Sequence, residues 1–287
     1  MVLLRALHQL GHRKLIVVHL NHRLRGRASG ADAAFVRRLA TSLGLQCAVE
    51  SEDVQRRAKR IGLSIEHAAR EARYAFFAKV AKHHRCARLL LAHHADDQVE
   101  TVLMNLFRGT GVTGLSGMAN VSERWIDGRT LTLLRPLLSV WRNELETFAS
   151  EQDWSFREDS SNADPQFLRN RVRHEVIPYL KEVFGRDVRT TMTRLAMQCQ
   201  AENTFLQSQI VSKSSADVLN VASLRQLPLG LQRRLMHQWL LARHISNVSF
   251  DLVERSLTLI QPGASVAKIN LPKDRHLRRR AGKLFID

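Results

Sequence analysis

Hydrophobic residues at the start of the chain follow first a helical pattern and then a strand pattern. The apolar side chains of the first ten residues share one helical face, and Gly11 follows as a natural stop; they are Val2, Leu3, Ala6, Leu7 and Leu10. The next apolar stretch, "KLIVVHL", is continuous and rich in β-branched residues, which is typical of a buried strand. The chain is therefore predicted to open with a helix followed by a strand.

The same alternation continues through the first half of the chain. Ser29 and Asp32 have the spacing of a capping box, which predicts a helix from there to Gly44. The sequence then predicts a strand, a helix, a strand buried on both faces, a helix over 98–107 and a strand, in the stretches "LQCAVES", "SIEHAAREARYAFFAKVAKHH", "ARLLLAHH", "QVETVLMNLF" and "RTLTLLRPLL". This order indicates an α/β fold with a parallel sheet, whose ligands bind beyond the carboxyl ends of the strands. We therefore expect residues 19–22 and 93–97 at the binding edge.

The composition of the sequence changes near residue 186, where segments with a helical pattern that are rich in Gln and Arg begin. The last segment, "ASVAKINLPKDRHLRRRAGKLFID", resembles a hairpin that turns near Pro272 to Asp274. We predict two domains, an α/β domain over 1–185 and a smaller, mostly helical domain over 186–287.

Charge and cysteine content limit the partners and the compartment. The chain has 44 Lys and Arg against 27 Asp and Glu, a net charge of +17, which favours a polyanionic partner such as nucleic acid. A generally basic proteome is the alternative explanation. The three cysteines form no C-x-x-C pair, which argues against a disulfide framework, a zinc ribbon or an iron–sulfur site and favours the cytoplasm. No apolar run approaches the roughly 20 residues of a membrane helix.

The stretch "LAHHADDQVETVLMNLFRGTG" contains several candidate ligands for a metal ion, an ammonium group or a phosphate. Its histidines are adjacent and lack the i, i+4 spacing of a metal site, which makes a zinc site improbable. Asp97 and Glu100 have capping-box spacing with Asp97 at the cap; the functional alternative is that they hold Mg²⁺ or an ammonium group at the mouth of the sheet. Arg108, Gly109 and Gly111 form either a helix C-cap with a turn or a phosphate contact.

A second dense stretch is "DSSNADPQFLRNRVRHEVIP", over 159–178. Asp164 followed by Pro165 predicts a helix start, and Pro178 predicts its end. Arg169 and Arg173 then share one helical face, while Arg171 points elsewhere. The run forms either a solvated basic face or, together with Asn170 and the Ser-Ser-Asn at 160–162, a cluster that faces a ligand.

These stretches together carry a family resemblance. In order, "VVHLNHRLRGRASGADAAFV", "SIEHAAREARY", "AHHADDQVETVLMNLFRGTGVTGLSGM", "LRPLL" and "DSSNADPQFLRNRVRHEVIP" resemble the tRNA(Ile)-lysidine synthetases of the PP-loop ATP-pyrophosphatase superfamily. The likeness runs through roughly the first two-thirds of the chain. "HHADDQVET" is shared loosely with tRNA thiolation enzymes, and the "SSN-A-D-P-Q-F-L-R-N" stretch makes the resemblance specific.

The resemblance implies a Rossmann-like PP-loop domain, ATP with Mg²⁺, and a reaction in the cytoplasm. Lysine is ligated to the wobble cytidine of tRNA(Ile) with a CAU anticodon, after adenylation of the cytosine 2-oxygen. By this resemblance, Asp97 and Glu100 handle lysine or metal, with Asp97 as the metal ligand. The residues implied at the reacting centre are Arg169, Asn170 and Arg173. The residues implied to bind ATP are His19, Asn21, His22, Arg108, Gly109 and Gly111. A homodimer is compatible with the resemblance.

One departure from the family bears on activity. Its members begin with a strand and an S-G-G-x-D-S loop that receives pyrophosphate, and neither precedes "MVLLRALHQL" here. Burying about four aliphatic side chains of such a strand contributes roughly 6–12 kcal/mol, comparable to the stability of a whole domain. We therefore expect the chain as written to fold poorly or to be inactive, because Met1 is an internal methionine or the gene is truncated.

Two other functions are also compatible with the sequence. One is a non-catalytic tRNA-binding remnant, which a salt-sensitive affinity for tRNA without ATP turnover would favour. The other is a tRNA thiolation enzyme, which the missing C-x-x-C cysteines argue against.

Overall fold

Helices and strands alternate through the first part of the computed structural model, which describes residues 1–24, 26–155, 164–210 and 214–287. The chain divides into two units, Met1–Gln200 and Ala201–Asp287, so the division falls fifteen residues beyond the predicted boundary. The observed division falls inside one helix, Val188–Ser208, which begins just after the predicted boundary. Within the described residues, no helix is both long and apolar enough to cross a membrane.

The strands of the first unit are β1 (Ile16–Asn21), β2 (Gln46–Ser51), β3 (Arg88–Leu90), β4 (Val121–Ile126) and β5 (Arg129–Leu134). Its helices are α1 (Val2–Gln9), α2 (Arg27–Ser42), α3 (Val54–Ile61), α4 (Ile65–His83), α5 (Ala95–Phe107), α6 (Val112–Leu115), α7 (Arg142–Glu151), α8 (Leu168–Arg171), α9 (Ile177–Phe184) and α10 (Val188–Ser208). A π-helical segment, Val172–Val176, joins α8 to α9.

The predicted parallel pairing is confirmed in two separate ladders. Strand β1 pairs in parallel with β2, with Val17 opposite Cys47, and β3 pairs in parallel with β5, with Leu89 opposite Leu133. Strand β4, which the sequence interpretation missed, pairs antiparallel with β5. In the described residues β1 and β3 share no hydrogen-bonded ladder.

Helix α4 packs against both ladders through two different faces. Ala69, Ala72 and Phe76 pack with Leu20 of β1. Tyr74, Phe77 and Ala78 pack with the β5 residues Leu131 and Leu133. One long helix therefore packs against both strand pairs.

Two predicted elements have different limits in the structure. Helix α2 begins at Arg27, two residues before the predicted capping box, because Gly26 takes a positive φ of 50° and turns the chain into the helix. The strand predicted over "ARLLLAHH" is only three residues long and is not buried on both faces, since Leu90 is 36% exposed. Leu89 packs toward α4, and Leu90 follows on the opposite face of the strand.

The second unit has more sheet than predicted. Beside α11 (Val221–Arg225), α12 (Leu229–Ala242) and α13 (Phe250–Thr258), it contains β6 (Leu219–Asn220), β7 (Lys268–Asn270), β8 (His276–Arg280) and β9 (Lys283–Ile286), in the order β6-β9-β8-β7. The predicted hairpin is confirmed, because Asn270 pairs with His276 across a turn that contains Lys273 and Asp274 at positive φ. Trp239, Met236 and Leu277 are completely buried in its core.

Candidate active site

The acidic stretch that follows β3 starts helix α5 earlier than predicted. His94 is the N-cap residue, with extended backbone angles, and α5 begins at Ala95. The carboxylate of Asp97 accepts a hydrogen bond of 3.0 Å from the His94 backbone N–H. Asp97 is therefore the third helical residue and not the cap, and the predicted capping role of Glu100 is wrong. A carboxylate in the first turn is also favoured by the helix dipole.

Glu100 is buried completely and is held by two arginines from a distant part of the chain. Its Oε2 accepts a hydrogen bond of 2.6 Å from Nε of Arg169, and its Oε1 accepts one of 2.6 Å from Nε of Arg173. The side chain of Glu100 has no exposed surface. A buried carboxylate is tolerated when its charge is paired and hydrogen-bonded in this way.

Arg169 also reaches Asp97, so it joins the two acidic side chains. Its Nη2 donates hydrogen bonds of 3.1 Å to Oδ1 and to the backbone carbonyl of Asp97. Nη2 of Arg173 lies 3.6 Å from the same Oδ1. The structure thus brings together four predicted site residues from segments about 70 positions apart, Asp97, Glu100, Arg169 and Arg173.

The prediction that Arg169 and Arg173 share one helical face is confirmed. Arg169 and Arg173 both point to Glu100, whereas Arg171 is exposed and pairs with Glu175 at 3.4 Å. The π-helical segment directly follows α8. Such segments are rare and are frequent at functional sites.

The ends predicted for this helix are wrong. Helix α8 begins at Leu168, because Asp164 and Pro165 form a turn, and Nδ2 of the buried Asn170 donates a 2.8 Å hydrogen bond to the Asp164 carbonyl. The helix also continues past Pro178, which lies in the first turn of α9 directly after the π-helical segment and needs no N–H partner there. The Ser-Ser-Asn at 160–162 lies outside the described residues, and the role of Asn170 at the reacting centre stays a prediction.

Asp96, which the sequence interpretation passed over, connects three helices. Its Oδ2 accepts a 2.9 Å hydrogen bond from the Arg142 backbone N–H at the start of α7, and its Oδ1 accepts one of 3.0 Å from Arg189 of α10. Burial alone would raise the pKa of Asp96, but hydrogen bonds from His94, Arg142 and Arg189 hold it well below its usual range. Asp96 is therefore a permanent anion beside Asp97, and the Asp-Asp doublet was its only sequence signal.

The two histidines of the stretch have different surroundings. The ring of His94 lies between two carboxylates, with Nδ1 3.5 Å from Asp96 and Nε2 3.4 Å from Asp97. Burial lowers the pKa of His93 to about 4; Asp97 opposes this shift, and the nearby arginines Arg135, Arg169 and Arg73 add to it. His93 is therefore neutral near pH 7. Arg73 and Arg135 were not predicted as site residues, and they add to the positive charge of the site.

The structure does not bring the predicted phosphate-binding residues after α5 to the carboxylates. Arg108 is the C-cap residue of α5, and Gly109 takes a positive φ of 75° that terminates the helix. Asp97 and Arg108 are separated by about 16 Å along the helix, at 1.5 Å per residue. The C-cap alternative therefore describes Arg108 and Gly109, Gly111 caps α6, and their contact with nucleotide stays a prediction.

The predicted nucleotide residues of β1 lie at the carboxyl end of that strand. His19 pairs with Val49 of β2, and the Asn21 carbonyl accepts a 2.8 Å hydrogen bond from the Glu52 N–H. The side-chain oxygen of Asn21 accepts one of 2.9 Å from the Arg23 N–H. The His22 carbonyl is 3.5 Å from the Val54 nitrogen. These contacts hold the end of β1 against β2 and the start of α3 and do not test nucleotide binding, so the nucleotide role of His19, Asn21 and His22 stays a prediction.

Asp97 is a poor fit for magnesium in this arrangement. Its Oδ1 accepts from Arg169 and its Oδ2 accepts from His94, so both oxygens already have donors. Arg173 adds a second guanidinium near the same carboxylate. Among the described residues, no group of three or more His, Cys, Asp and Glu side chains is arranged to hold a metal ion. No step of the chemistry is therefore assigned to a metal on Asp97.

Comparison with known proteins identifies the family of this chain. Residues 1–180 match the model described as the PP-loop domain, and residues 219–285 match the model described as the TilS substrate binding domain. A solved structure, the U34-tRNA thiolase NcsA from Methanococcus maripaludis with its [4Fe-4S] cluster, aligns over 69% of this chain and 66% of that one, at 15% identity and a TM-score of 0.48. That likeness is too weak to bear on function.

Curated relatives agree with both models. The tRNA(Ile)-lysidine synthase of Geobacter sulfurreducens is 38% identical, over 91% of this chain and 56% of that protein. The protein of the same name from Bacillus subtilis is 36% identical, over 95% of this chain and 60% of that protein. The chain thus spans somewhat more than half the length of these relatives. With both models matched in sequence order, the chain belongs to the PP-loop proteins and, within them, to the tRNA(Ile)-lysidine synthase family.

Proposed function

We propose that this protein ligates L-lysine to the wobble cytidine of tRNA(Ile) with a CAU anticodon, at the expense of ATP. The cytosine 2-oxygen attacks the α-phosphorus of ATP and releases pyrophosphate. The lysine side-chain amine then attacks C2, the C2–O bond breaks, and AMP leaves with its electron pair. The observation that carries the proposal is the joining of Asp97 and Glu100 by Arg169 and Arg173 at the first turn of α5.

Each member of this cluster has a part that follows from its contacts. The guanidinium groups of Arg169 and Arg173 offer fixed positive charge to the phosphoryl oxygens that gain negative charge during adenylation and AMP release. Each carboxylate oxygen can accept more than one hydrogen bond, and 14% of the Asp97 side chain is exposed, so Asp97 can still accept a hydrogen bond from the lysine ammonium. Glu100 has no exposed surface, so it acts by holding both arginines in place. Mg²⁺ would enter the proposal with the ATP phosphates and would keep several of its waters.

The proposal is tested by following radiolabelled lysine into tRNA. Purified protein, prepared as this chain and also with the codons upstream of Met1, is incubated with tRNA(Ile) of CAU anticodon, and label is expected in the tRNA only when ATP is present. The matched control is the same tRNA with uridine in place of the wobble cytidine, which should remain unlabelled. Binding of tRNA without lysine transfer or pyrophosphate exchange in both preparations would instead favour the non-catalytic tRNA-binding function.

The outer face of the second unit's sheet supports tRNA as the partner. Lys268 lies opposite Arg278, and Arg280 lies opposite Lys283, on neighbouring strands. Like charges directly opposite each other destabilise a sheet. A polyanion that neutralises them offsets this cost, and Asp287 already pairs with Arg278 at 2.8 Å. Arg280 and Lys283 form no ion pair within the described residues, so their charges are available to phosphate.

Replacing Arg280 and Lys283 together with alanine is expected to weaken tRNA binding and to lower its salt dependence. Each lost phosphate contact should reduce the slope of log affinity against log salt concentration by about 1. A double variant of Arg233 and Arg255, on α12 and α13, removes the same charge elsewhere in the unit and should change the slope less. Filter binding at several salt concentrations measures both, and equal slopes for the two double variants would count against this surface.

A further inference from the structure

A cavity of about 380 Å³ lies beside the first turns of α5, where Asp96 and Glu100 line it. Helix α7, the π-helical segment, α9 and the start of α10 enclose it. Glu100 and Arg173 line it as well as the active-site cluster, so the cavity and the cluster share a wall. Its other charged lining residues carry both signs: Asp96, Asp187, Arg142, Lys181 and Arg189.

Acidic and basic side chains are interspersed around this cavity, and hydrogen bonds between them hold them in place. Arg189 donates a 2.7 Å hydrogen bond to Asp187 and a 3.0 Å one to Asp96, and its guanidinium lies 5.3 Å from the centre of the Trp141 ring. Hydrogen bonds from Arg189 lower the pKa of Asp187, which keeps that carboxylate charged. Within the described residues the ammonium of Lys181 forms no ion pair, so it is the lining cation best able to receive an outside anion.

We propose that this cavity receives the zwitterionic end of the amino-acid substrate. Lys181 takes the α-carboxylate, Asp187 takes the α-ammonium, and the side-chain amine extends past Arg173 toward Asp97. This inference rests on the proposed function and adds to it the residues that distinguish an amino acid from a simple amine.

The pattern of charge favours a zwitterion over either kind of simple ion. An isolated anion would meet the fixed carboxylates of Asp96 and Asp187, and an isolated cation would meet Arg189 and Lys181. A group with adjacent opposite charges satisfies both sets at once, and complementarity of this kind supplies specificity. The cavity lies beside the cluster to which the lysine amine must be delivered, which a site for an unrelated ligand would not require.

The test combines substrate analogues with one variant in the full chain. Cadaverine is lysine without its carboxylate, and 6-aminohexanoate is lysine without its α-amine. Wild-type protein should use lysine about 100-fold better than cadaverine, as kcat/KM. Lys181→Ala should lower kcat/KM for lysine about 10-fold, chiefly through KM, and leave cadaverine within twofold, as expected for one charged hydrogen bond. Lys181→Arg should restore much of the loss.

Two further measurements keep the inference separate from the function. Arg186→Ala removes a nearby cation that does not line the cavity and should leave the preference for lysine unchanged. Calorimetric binding of lysine, cadaverine and 6-aminohexanoate needs no turnover, and lysine should bind tightest. If lysine binds with this preference but no pyrophosphate exchange occurs, the proposed function fails and the cavity assignment stands. If tRNA is modified while Lys181→Ala lowers lysine and cadaverine use equally, the cavity assignment is overturned.

Discussion

Replacing Glu100 with alanine is expected to lower the free energy of unfolding by about 3–5 kcal/mol, the usual cost of breaking a buried ion pair. The substitution leaves the guanidinium groups of Arg169 and Arg173 without their 2.6 Å acceptors in a part of the protein where Glu100 itself has no exposed surface. Because the same arginines face the reacting groups in the proposed mechanism, lysine ligation should also become undetectable. Urea denaturation measures the first effect, and single-turnover ligation measures the second.

A graded series separates charge from shape at this position. Glu100→Gln keeps the size of the side chain but turns one acceptor into an N–H₂ donor that faces an arginine, so its stability should lie between those of wild type and Glu100→Ala. Glu175→Ala is the control, because Glu175 pairs with Arg171 on the same helical run but both side chains are more than half exposed. It should change stability by about 0.5 kcal/mol at most. Equal losses of stability from Glu100→Ala and Glu175→Ala would contradict the proposal that the buried Glu100 holds both arginines in place.

The parts of the site that follow local periodicity were predictable from sequence. Arg169 and Arg173 are four residues apart, so any helical turn places them on one face, and the structure keeps both on Glu100. The strand "KLIVVHL" was predictable for a different reason, because its continuous apolar character is typical of a buried strand. Strand β4 was missed because "VSERWI" is half polar, although the Asp127-Gly128 pair that follows it is typical of a two-residue hairpin turn and leads directly into β5.

The parts of the site that depend on the backbone conformation before a helix, or on contacts between distant residues, were not predictable from the sequence. Both H-x-x-D at His94 and D-x-x-E at Asp97 fit a capping box, and only the extended backbone of His94 after β3 selects the first. Asp164 and Pro165 fit a helix start equally well, but the Asn170 side chain stabilises a turn there instead. The contacts of Asp96 with Arg142 and Arg189 span 46 and 93 positions, beyond the reach of any local pattern.

Replacing Arg169 with alanine is expected to slow lysine ligation about 1,000-fold, at the upper end of what one charged transition-state contact supplies. Arg169 makes three hydrogen bonds at once, from Nε to Glu100 and from Nη2 to Oδ1 and the carbonyl of Asp97. A lysine at this position has one nitrogen in place of a planar fork, so it reaches one carboxylate or the other. Arg169→Lys should therefore keep the positive charge and still lose about 100-fold, a loss that charge alone does not explain.

Arg171→Ala is the matched control, because Arg171 lies on the same short helix, carries the same charge and points to solvent beside Glu175. It should ligate lysine within twofold of wild type. Reaction of lysine with preformed adenylated tRNA isolates the second step, and pyrophosphate exchange isolates the first. If Arg169 stabilises charge on phosphoryl oxygens, both steps slow through kcat, since the contact strengthens only as that charge develops. A rise in KM for lysine with kcat unchanged would instead mean that Arg169 only shapes the lysine site around Asp97.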